Sequence, residues 1–493
     1  MMKKSLVTTA VVLGLSACAA NQTSVSSVAA QHYDLNFGKQ SGQAQSAEIN
    51  GKTIQYRAYE GIVYVQNPVD TRYQSMNVYV PEAYYQNGSI NGFTADNAPI
   101  FFPNQVGGYM PGEPGKPELD KRQNNQPNSI LTALSKGYVV ASPGARGRTS
   151  ANGKAPAAIV DLKAAVRYLK ANDRAMPGDA NKIISNGTSA GGALSALLGA
   201  SGNASEYQPY LKALGAADAG DDIFAVSAYC PITNLENANA AYEWQFNGIN
   251  DYQKMNITQL DYHVERKLVP GTLTDAQIKL SGQLKPLFST YINSLHLKDS
   301  SGKTLQLDKQ GNGSFKDLVN HYIMQSAQTQ LDQGKTLTDR KWLTVKNGKA
   351  VAMNFAAYAK AAGRQKTPPA FDAVDLSSGE NQLFGTETVD KQHFTAFSQA
   401  NSTVQNATRV DEKIVNMMNP MHYIGRAQSP QNWRIRQGTN DRDTSLAIPV
   451  ILATKLQNEG KTVDFALPWD QAHGGDYDLE ALFDWMKQVS TQK

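Results

Sequence analysis

The 493-residue chain is poor in cysteine, in net charge and in long apolar runs. Its only cysteines are Cys18 and Cys230, which excludes a small-core fold held together by several disulfides. The formal net charge is +4 and no basic cluster is interleaved with aromatic residues, which argues against nucleic acid as a partner. After residue 18, no stretch is apolar enough to cross a bilayer. A chain of this length can instead bury a large core.

The N-terminus has the features of an export signal. Two lysines precede an apolar run over residues 6–13, and small residues then lead into Cys18. This is the pattern of a lipobox, so we expect residues 1–17 to be a signal peptide and Cys18 to be lipidated after cleavage. The protein would then be an exported bacterial lipoprotein, anchored by its lipid to a membrane of the cell envelope. A plain secretory cleavage near Ala19 is the alternative.

Residues 18–46 are rich in Ser, Gln, Ala and Asn, a composition that predicts a flexible tether. If Cys18 is lipidated, Cys230 has no partner for an intramolecular disulfide. We therefore expect Cys230 to be a buried structural thiol.

A G-x-S-x-G motif spans Gly187, Ser189 and Gly191. The apolar run before it predicts a buried parallel strand, and the run after it predicts a helix packed against that strand. Glycines on both sides of Ser189 permit a sharp, strained turn that would lift its hydroxyl clear of the sheet. The pattern predicts a nucleophile elbow, with a plain glycine-rich turn as the alternative.

A serine hydroxyl needs a base and an orienting acid, which follow it in the order acid, then histidine, in chains of this kind. Seven histidines are present, and His473 alone lies in a short loop after a predicted late strand, 463–467. Glycines beside it and an amphipathic C-terminal helix after it suit a catalytic loop. We therefore predict His473 as the base rather than a solvated loop histidine.

The orienting acid is predicted to be Asp441, which follows a short strand near 433–437 and precedes a helical run. One helix and one strand fit between Asp441 and His473, so both loops can emerge at the same edge of a parallel sheet. Asp443 is the rival for this role. Either aspartate could instead cap the following helix.

Two backbone amides are expected to bind the oxyanion. Ala190, directly after the serine, supplies the first. The second is predicted in the loop after the strand 99–103, where a Gly-Gly pair lets amides approach a ligand oxygen. Gly108 is our choice and Gly107 the fallback, while a simple surface turn is the alternative.

These elements predict an α/β fold of the α/β-hydrolase type, a mostly parallel sheet flanked by helices. About 240 residues separate the elbow from the aspartate strand, far more than such a core requires. We therefore expect core segments at 47–230 and 420–493, with residues 231–419 forming an inserted lid domain. Strands are predicted near 54–65, 75–80, 99–103, 137–141, 182–186, 223–229, 433–437 and 463–467.

From about residue 50 onward the chain resembles the bacterial tannases, lid-bearing α/β hydrolases. Seven segments carry the resemblance: 104–112, 155–168, 177–192, 221–236, 242–248, 438–445 and 468–479. In that family the triad falls on Ser189, Asp441 and His473.

The resemblance also implies a substrate, because members of the family hydrolyse galloyl esters of tannins and release gallic acid. It places the groups that recognise the three ring hydroxyls at Lys366, Glu380 and Asp443. Two carboxylates that accept from phenols and an ammonium that donates to a phenol oxygen form a chemically reasonable set. Gly379 departs from the pattern, since a bulkier residue there could press on the ring, so clamping would depend more on Ile232.

The expected function is that of a lipid-anchored serine esterase, a tannase, with no cofactor and no metal. Fungal members join the neighbours of their serine and histidine by a disulfide, whereas Thr188 and Ala472 occupy those places here. The alternatives are a feruloyl, hydroxybenzoyl or general carboxylesterase, or a surface binding lipoprotein without catalysis. The sequence does not set the oligomeric state, although a monomer is favoured.

Overall fold

The computed structural model describes residues 32–120, 124–260 and 263–491. The signal peptide, Cys18 and residues 19–31 of the expected tether lie outside the described residues. Residues Tyr33–Lys493 form one compact unit.

Fifteen strands are found in the described residues. They are β1 Gln43–Ile49, β2 Lys52–Val63, β3 Ser75–Pro81, β4 Pro99–Pro103, β5 Leu119–Asp120, β6 Gln126–Pro127, β7 Val139–Pro143, β8 Asp179–Thr188, β9 Ala225–Tyr229, β10 Asp251–Leu260, β11 His263–Thr272, β12 Leu343–Lys346, β13 Lys349–Met353, β14 Asn432–Arg436 and β15 Thr462–Ala466. Nine of them form the central sheet, in the order β1-β2-β3-β7-β4-β8-β9-β14-β15. The other six pair as β5–β6, β10–β11 and β12–β13.

Six neighbouring strands of the central sheet, from β7 to β15, run parallel. The first three strands extend the sheet antiparallel. Every residue of β4, β7 and β9 is buried, as expected for parallel strands covered on both faces. The α/β-hydrolase fold class is therefore confirmed.

The helices of the described residues are α1 Ser129–Ser135, α2 Ala157–Ala171, α3 Ala190–Ala200, α4 Gln208–Ala213, α5 Leu235–Phe246, α6 Asp275–Leu295, α7 Ser314–Asp332, α8 Phe355–Ala362, α9 Gly379–Leu383, α10 Ala396–Ala400, α11 Glu412–Met417, α12 Ala447–Asn458 and α13 Leu479–Thr491. Within residues 32–120, 124–260 and 263–491, no helix has the length and apolarity that a bilayer crossing requires.

Helix α2 is buried along nearly its whole length, including charged residues. Lys163 and Arg167 on this helix bind the buried carboxylate of Asp221, with Nζ 2.8 Å and Nη2 2.7 Å from its oxygens. Because each charge has a partner at hydrogen-bond distance, the cluster tolerates burial. It joins α2 to the chain that enters β9.

The parallel topology gathers the predicted functional loops. The loops after β4, β8, β14 and β15 leave the carboxyl ends of neighbouring strands, where open parallel sheets bind ligands. Between β9 and β14 the described residues add seven α-helices and two strand pairs, from α5 to α11. This inserted segment belongs to the same compact unit as the sheet.

The predicted tether is wrong for its last part, residues 33–46. The backbone N–H of Phe37 donates to Asn172 Oδ1 at 2.8 Å, and the Phe37 ring is buried 4.8 Å from that of Tyr59, centroid to centroid. Residues 43–49 form β1, paired antiparallel with β2. Polar composition suggested flexibility, but a strand at the sheet edge needs only backbone hydrogen bonds and few apolar residues.

Candidate active site

Ser189 lies at the turn between β8 and α3 with φ 62° and ψ −122°, a conformation costly for a non-glycine residue. The residues two positions before and two positions after it must be glycine. A Cβ at Gly187 would lie 2.2 Å from the carbonyl oxygen of Gly191, and one at Gly191 would lie 2.6 Å from Asn104 Oδ1. The predicted elbow geometry is therefore present.

Asn104, the first residue after β4, braces this elbow. Its side-chain Nδ2 donates to the carbonyl oxygens of Gly191 at 3.0 Å and Asn186 at 3.3 Å. Its Oδ1 accepts from the backbone N–H of Val106 at 3.2 Å. The buried side-chain amide of Asn104 thus fixes the loop after β4 against the serine turn, a role that was not predicted from the sequence.

A hydrogen-bonded chain joins Ser189, His473 and Asp441. His473 Nε2 lies 2.8 Å from Ser189 Oγ, and His473 Nδ1 lies 2.9 Å from Asp441 Oδ2. Asp441 is fully buried, and its other oxygen accepts from the backbone N–H of Asp443 at 2.9 Å. The rival, Asp443, is 3.9 Å from His473 Nε2 and makes no short contact with Nδ1.

The loops carrying Asp441 and His473 are bonded to each other. The backbone N–H of Thr439 donates to Pro468 O, and that of Asn440 donates to Gln471 O, both at 3.0 Å. The loops approach so closely that a Cβ at Gly438 would lie 1.9 Å from Gln471 O. Neither aspartate caps the following helix, whose N-cap is Leu446.

Two carboxylates face His473 and set its titration. Burial lowers the pKa of His473, but the charge of Asp441 and then that of Asp443 outweigh burial and raise it well above its usual range. Burial raises the pKa of Asp443, but the Lys366 ammonium, with help from His473, holds it below its usual range. His473 therefore lies in an unusually anionic site.

Lys366 is brought into this site by a buried scaffold. Its Nζ lies 3.1 Å from Asp443 Oδ2 and 4.0 Å from the centroid of the Phe371 ring. Its backbone carbonyl accepts from Arg364 at 3.1 Å, and Arg364 forms a fully buried ion pair with Glu243 at 2.6 Å. Lys366 was predicted through the resemblance alone, and the ion pair that places it was not predicted.

Glu380, in the first turn of α9, interacts electrostatically with Lys366 and Asp443. Burial raises the pKa of Glu380, and the nearby Lys366 ammonium offsets this only in part. Lys366 thus interacts with both predicted carboxylates, Glu380 and Asp443, and Asp443 lies beside His473.

The proposed oxyanion donors occupy suitable backbone positions. Ala190 is the first residue of α3, so its N–H has no acceptor within the helix. Gly108 has φ +55°, and a Cβ there would meet nothing within 4 Å, so the loop borders open space on the Cβ side of this residue. The carbonyl of Gly107 accepts from Met110 N–H at 2.9 Å, which fixes the peptide that carries the Gly108 N–H.

Three further predicted positions border the site. Ile232 is buried, and its backbone N–H lies 3.5 Å from Ser189 O. Cys230 is buried and donates to Gly474 O at 3.3 Å, with its sulfur within 4.8 Å of ligand atoms of Asp441 and His473. Gly379 faces the guanidinium of Arg148, which occupies the space where a side chain would stand.

A comparison with solved structures finds extensive similarity. The tannase of Fusobacterium nucleatum is 55% identical and covers 93% of this chain and 100% of its own, with a TM-score of 0.89. A Lactobacillus plantarum tannase is 46% identical with the same coverages and TM-score. A tannin acyl hydrolase in complex with ethyl gallate is 47% identical, covers 91% of this chain and 97% of its own, and has a TM-score of 0.86.

The family model described as BD-FAE matches residues 116–268. No curated protein matches the chain. The fold and the Ser-His-Asp hydrogen-bonded chain define the protein as an α/β hydrolase. At this identity and coverage, the chain belongs to the bacterial tannase family and is a carboxylic ester hydrolase.

Proposed function

We propose that this enzyme hydrolyses galloyl esters of tannins and alkyl gallates through a covalent galloyl-enzyme on Ser189. The observation that carries the proposal is the continuous chain Ser189–His473–Asp441, with bonds of 2.8 and 2.9 Å at a strained elbow. The substrate class follows from the family, in which one structural relative is a complex with ethyl gallate.

In the first step Ser189 Oγ attacks the ester carbonyl and His473 Nε2 takes its proton. Asp441 holds the Nδ1–H tautomer and stabilises the imidazolium. The amides of Gly108 and Ala190 bind the oxygen that becomes negative. His473 then returns the proton to the departing alcohol, and in a second round it activates the water that releases gallate.

Recognition of the ring is assigned to the groups beside the triad. Lys366 donates to a phenol oxygen, while Glu380 and Asp443 accept from phenol hydroxyls. Ile232 supplies an apolar wall. A pocket built for hydroxyls leaves these polar groups unpaired when a substrate lacks them, and the penalty can reach about 10⁴-fold in kcat/KM.

We assign residues 231–419 to a lid over the serine. Its elements supply Lys366 and Glu380, whereas both ends of the segment return to the central sheet. The lipobox supports lipidation of Cys18 and attachment of the enzyme to a membrane of the cell envelope.

The test compares kcat/KM for methyl gallate, methyl benzoate and methyl ferulate on the wild type and on Ser189→Ala. We expect strong preference for methyl gallate and loss of all hydrolysis in the variant, with an unchanged fold by circular dichroism. Equal rates on gallate and benzoate would point to a general carboxylesterase, and preference for ferulate to a feruloyl esterase. Activity retained within tenfold in Ser189→Ala would exclude the acyl-enzyme mechanism.

Glu380→Gln separates recognition from chemistry. We expect this change to lower kcat/KM for methyl gallate steeply and to leave that for p-nitrophenyl acetate, which has no ring hydroxyls, within about threefold. If kcat/KM falls by the same factor for both substrates, Glu380 does not recognise the ring hydroxyls.

A further inference from the structure

Arg148 connects the loop after β4 with helix α9. Its Nε donates to the carbonyl oxygen of Gly108 at 2.7 Å, and its backbone N–H donates to Tyr109 O at 2.8 Å. Its Nη1 donates to Gln382 Oε1 at 2.5 Å. One side chain therefore contacts both the peptide that follows the proposed oxyanion donor and the helix that carries Glu380.

Gly379 makes room for this guanidinium. A Cβ at position 379 would lie 3.0 Å from Arg148 Cζ, 3.1 Å from Nε and 3.2 Å from Nη2. The backbone of Gly379 is not left-handed, so no turn requires glycine at this place. A side chain at position 379 would therefore crowd Arg148, whose guanidinium would have to shift by a few tenths of an ångström.

A ring of hydrogen bonds holds the arrangement. Gln382 Nε2 donates to the carboxylate of Asp390 at 3.2 Å, and Lys154 Nζ donates to Asp390 Oδ1 at 2.6 Å. The same Lys154 Nζ donates to the backbone carbonyl of Arg148 at 2.8 Å. The ring therefore closes from Arg148 through Gln382, Asp390 and Lys154 back to Arg148. The Lys154 side chain is only 5% exposed, whereas Asp390 and its bonds to Gln382 lie at the surface.

We propose that Arg148 is a positioning residue. It would keep the loop that contains Gly108, here called the oxyanion loop, at a fixed position relative to helix α9, which carries Glu380. This inference rests on the proposed function, because it concerns how the same site aligns a galloyl ester. The bond to Gly108 O holds the loop at the ester carbonyl, while the bond to Gln382 holds Glu380 at the ring. Binding of the ring then places the ester carbonyl for attack by Ser189. Efficient attack requires this carbonyl to be positioned to within about an ångström.

The two bonds predict different kinetic effects. Loss of the bond to Gly108 lowers kcat for every ester, whereas loss of the bond to Gln382 affects only esters whose ring hydroxyls are bound. For Arg148→Gln we expect kcat/KM to fall about 100-fold on methyl gallate and about tenfold on p-nitrophenyl acetate. Gln382→Ala removes only the contact to the lid, so we expect it to lower methyl gallate hydrolysis and spare p-nitrophenyl acetate.

The experiment is a double-mutant cycle of wild type, Arg148→Gln, Gly379→Ala and the double variant, with kcat and KM measured on both esters. Because the added methyl of Gly379→Ala acts by displacing the guanidinium, we expect it to lower kcat/KM for methyl gallate about tenfold in the wild type and to add nothing in Arg148→Gln. Arg148→Lys keeps the positive charge but not the planar guanidinium with its two donor nitrogens. We therefore expect it to be no more active than Arg148→Gln.

Additive effects of the two substitutions, or full activity of Arg148→Lys, would overturn the inference. If Arg148→Gln does not fold, Gln382→Ala carries the test, and equal losses on both esters would then contradict the proposal. The wild-type ratio of methyl gallate to methyl benzoate is measured alongside. A failure of the proposed function appears in that ratio, whereas a failure of this inference appears only in the variants.

Discussion

Replacing Asp443 by Asn should move the acid limb of the pH–rate profile to lower pH. His473 acts as a base only when neutral, so activity appears as the pH rises through its pKa. Asp441 and Asp443 both hold that pKa above its usual range. Removing the charge of Asp443 lowers the pKa, and the Lys366 ammonium, freed from its partner 3.1 Å away, acts in the same direction.

The size of the shift follows from the distance of 3.9 Å between Asp443 Oδ2 and His473 Nε2. Two unit charges at that separation interact by about 1 kcal/mol at a dielectric constant of about 80, and by about 4 kcal/mol at about 20. Because Lys366 already neutralises much of the Asp443 charge, the smaller figure applies. One pKa unit is about 1.36 kcal/mol, so we expect a shift of roughly one pH unit.

The assay is kcat/KM for p-nitrophenyl acetate from about pH 5 to 10, a window that includes a His473 pKa above its usual range. This ester does not use the ring-binding function of Asp443. Asp222→Asn is the matched control, because Asp222 pairs with Lys170 at 2.7 Å before the amino end of β9, away from the serine. Its profile should match that of the wild type. An acid limb that stays in place or moves to higher pH in Asp443→Asn would refute this electrostatic account.

Two further predictions concern stability and location. Asp221→Ala should lower the free energy of unfolding by about 3–5 kcal/mol in urea titrations, because it leaves two buried cations without an anionic partner. The control Asp222→Ala should cost about 1 kcal/mol or less, since its partner is partly exposed, and equal losses would contradict the burial argument. Cys18→Ala should move the protein from the membrane fraction to the soluble fraction or leave it as uncleaved precursor. Unchanged membrane association, with no labelled fatty acid on the wild type, would count against lipidation.

The central sheet was predictable because its strands carry their own signal. Segments such as 99–103 and 225–229 are buried on both faces and are therefore continuously apolar. This local pattern identifies them as strands without knowledge of the strands they pair with. The expected strands overlap eight of the nine strands in the sheet. The strand at 43–49 is polar and joins through backbone bonds, and the hairpin of β10 and β11 was also not predicted.

The site residues also fall into two groups, those that the local sequence identifies and those that it does not. Ser189 and His473 were found through glycine-flanked loops after apolar strands, which is local information. Residues that act through distant partners leave no such mark. Arg148 reaches Gln382 across 234 positions, and Arg364 reaches Glu243 across 121, so neither contact is visible in the neighbouring sequence. Gly379 was noticed as a departure, but the guanidinium beside it is visible only in the fold.

The most direct test of the account is to identify the residue that carries the acyl group. With p-nitrophenyl gallate the alcohol leaves rapidly, so deacylation limits turnover and the acyl-enzyme accumulates before an acid quench. Peptide mass spectrometry of the wild type should find one galloyl group on the peptide containing Ser189, and none in Ser189→Ala. A galloyl group on another residue, or continued turnover of the ester by Ser189→Ala, would contradict it.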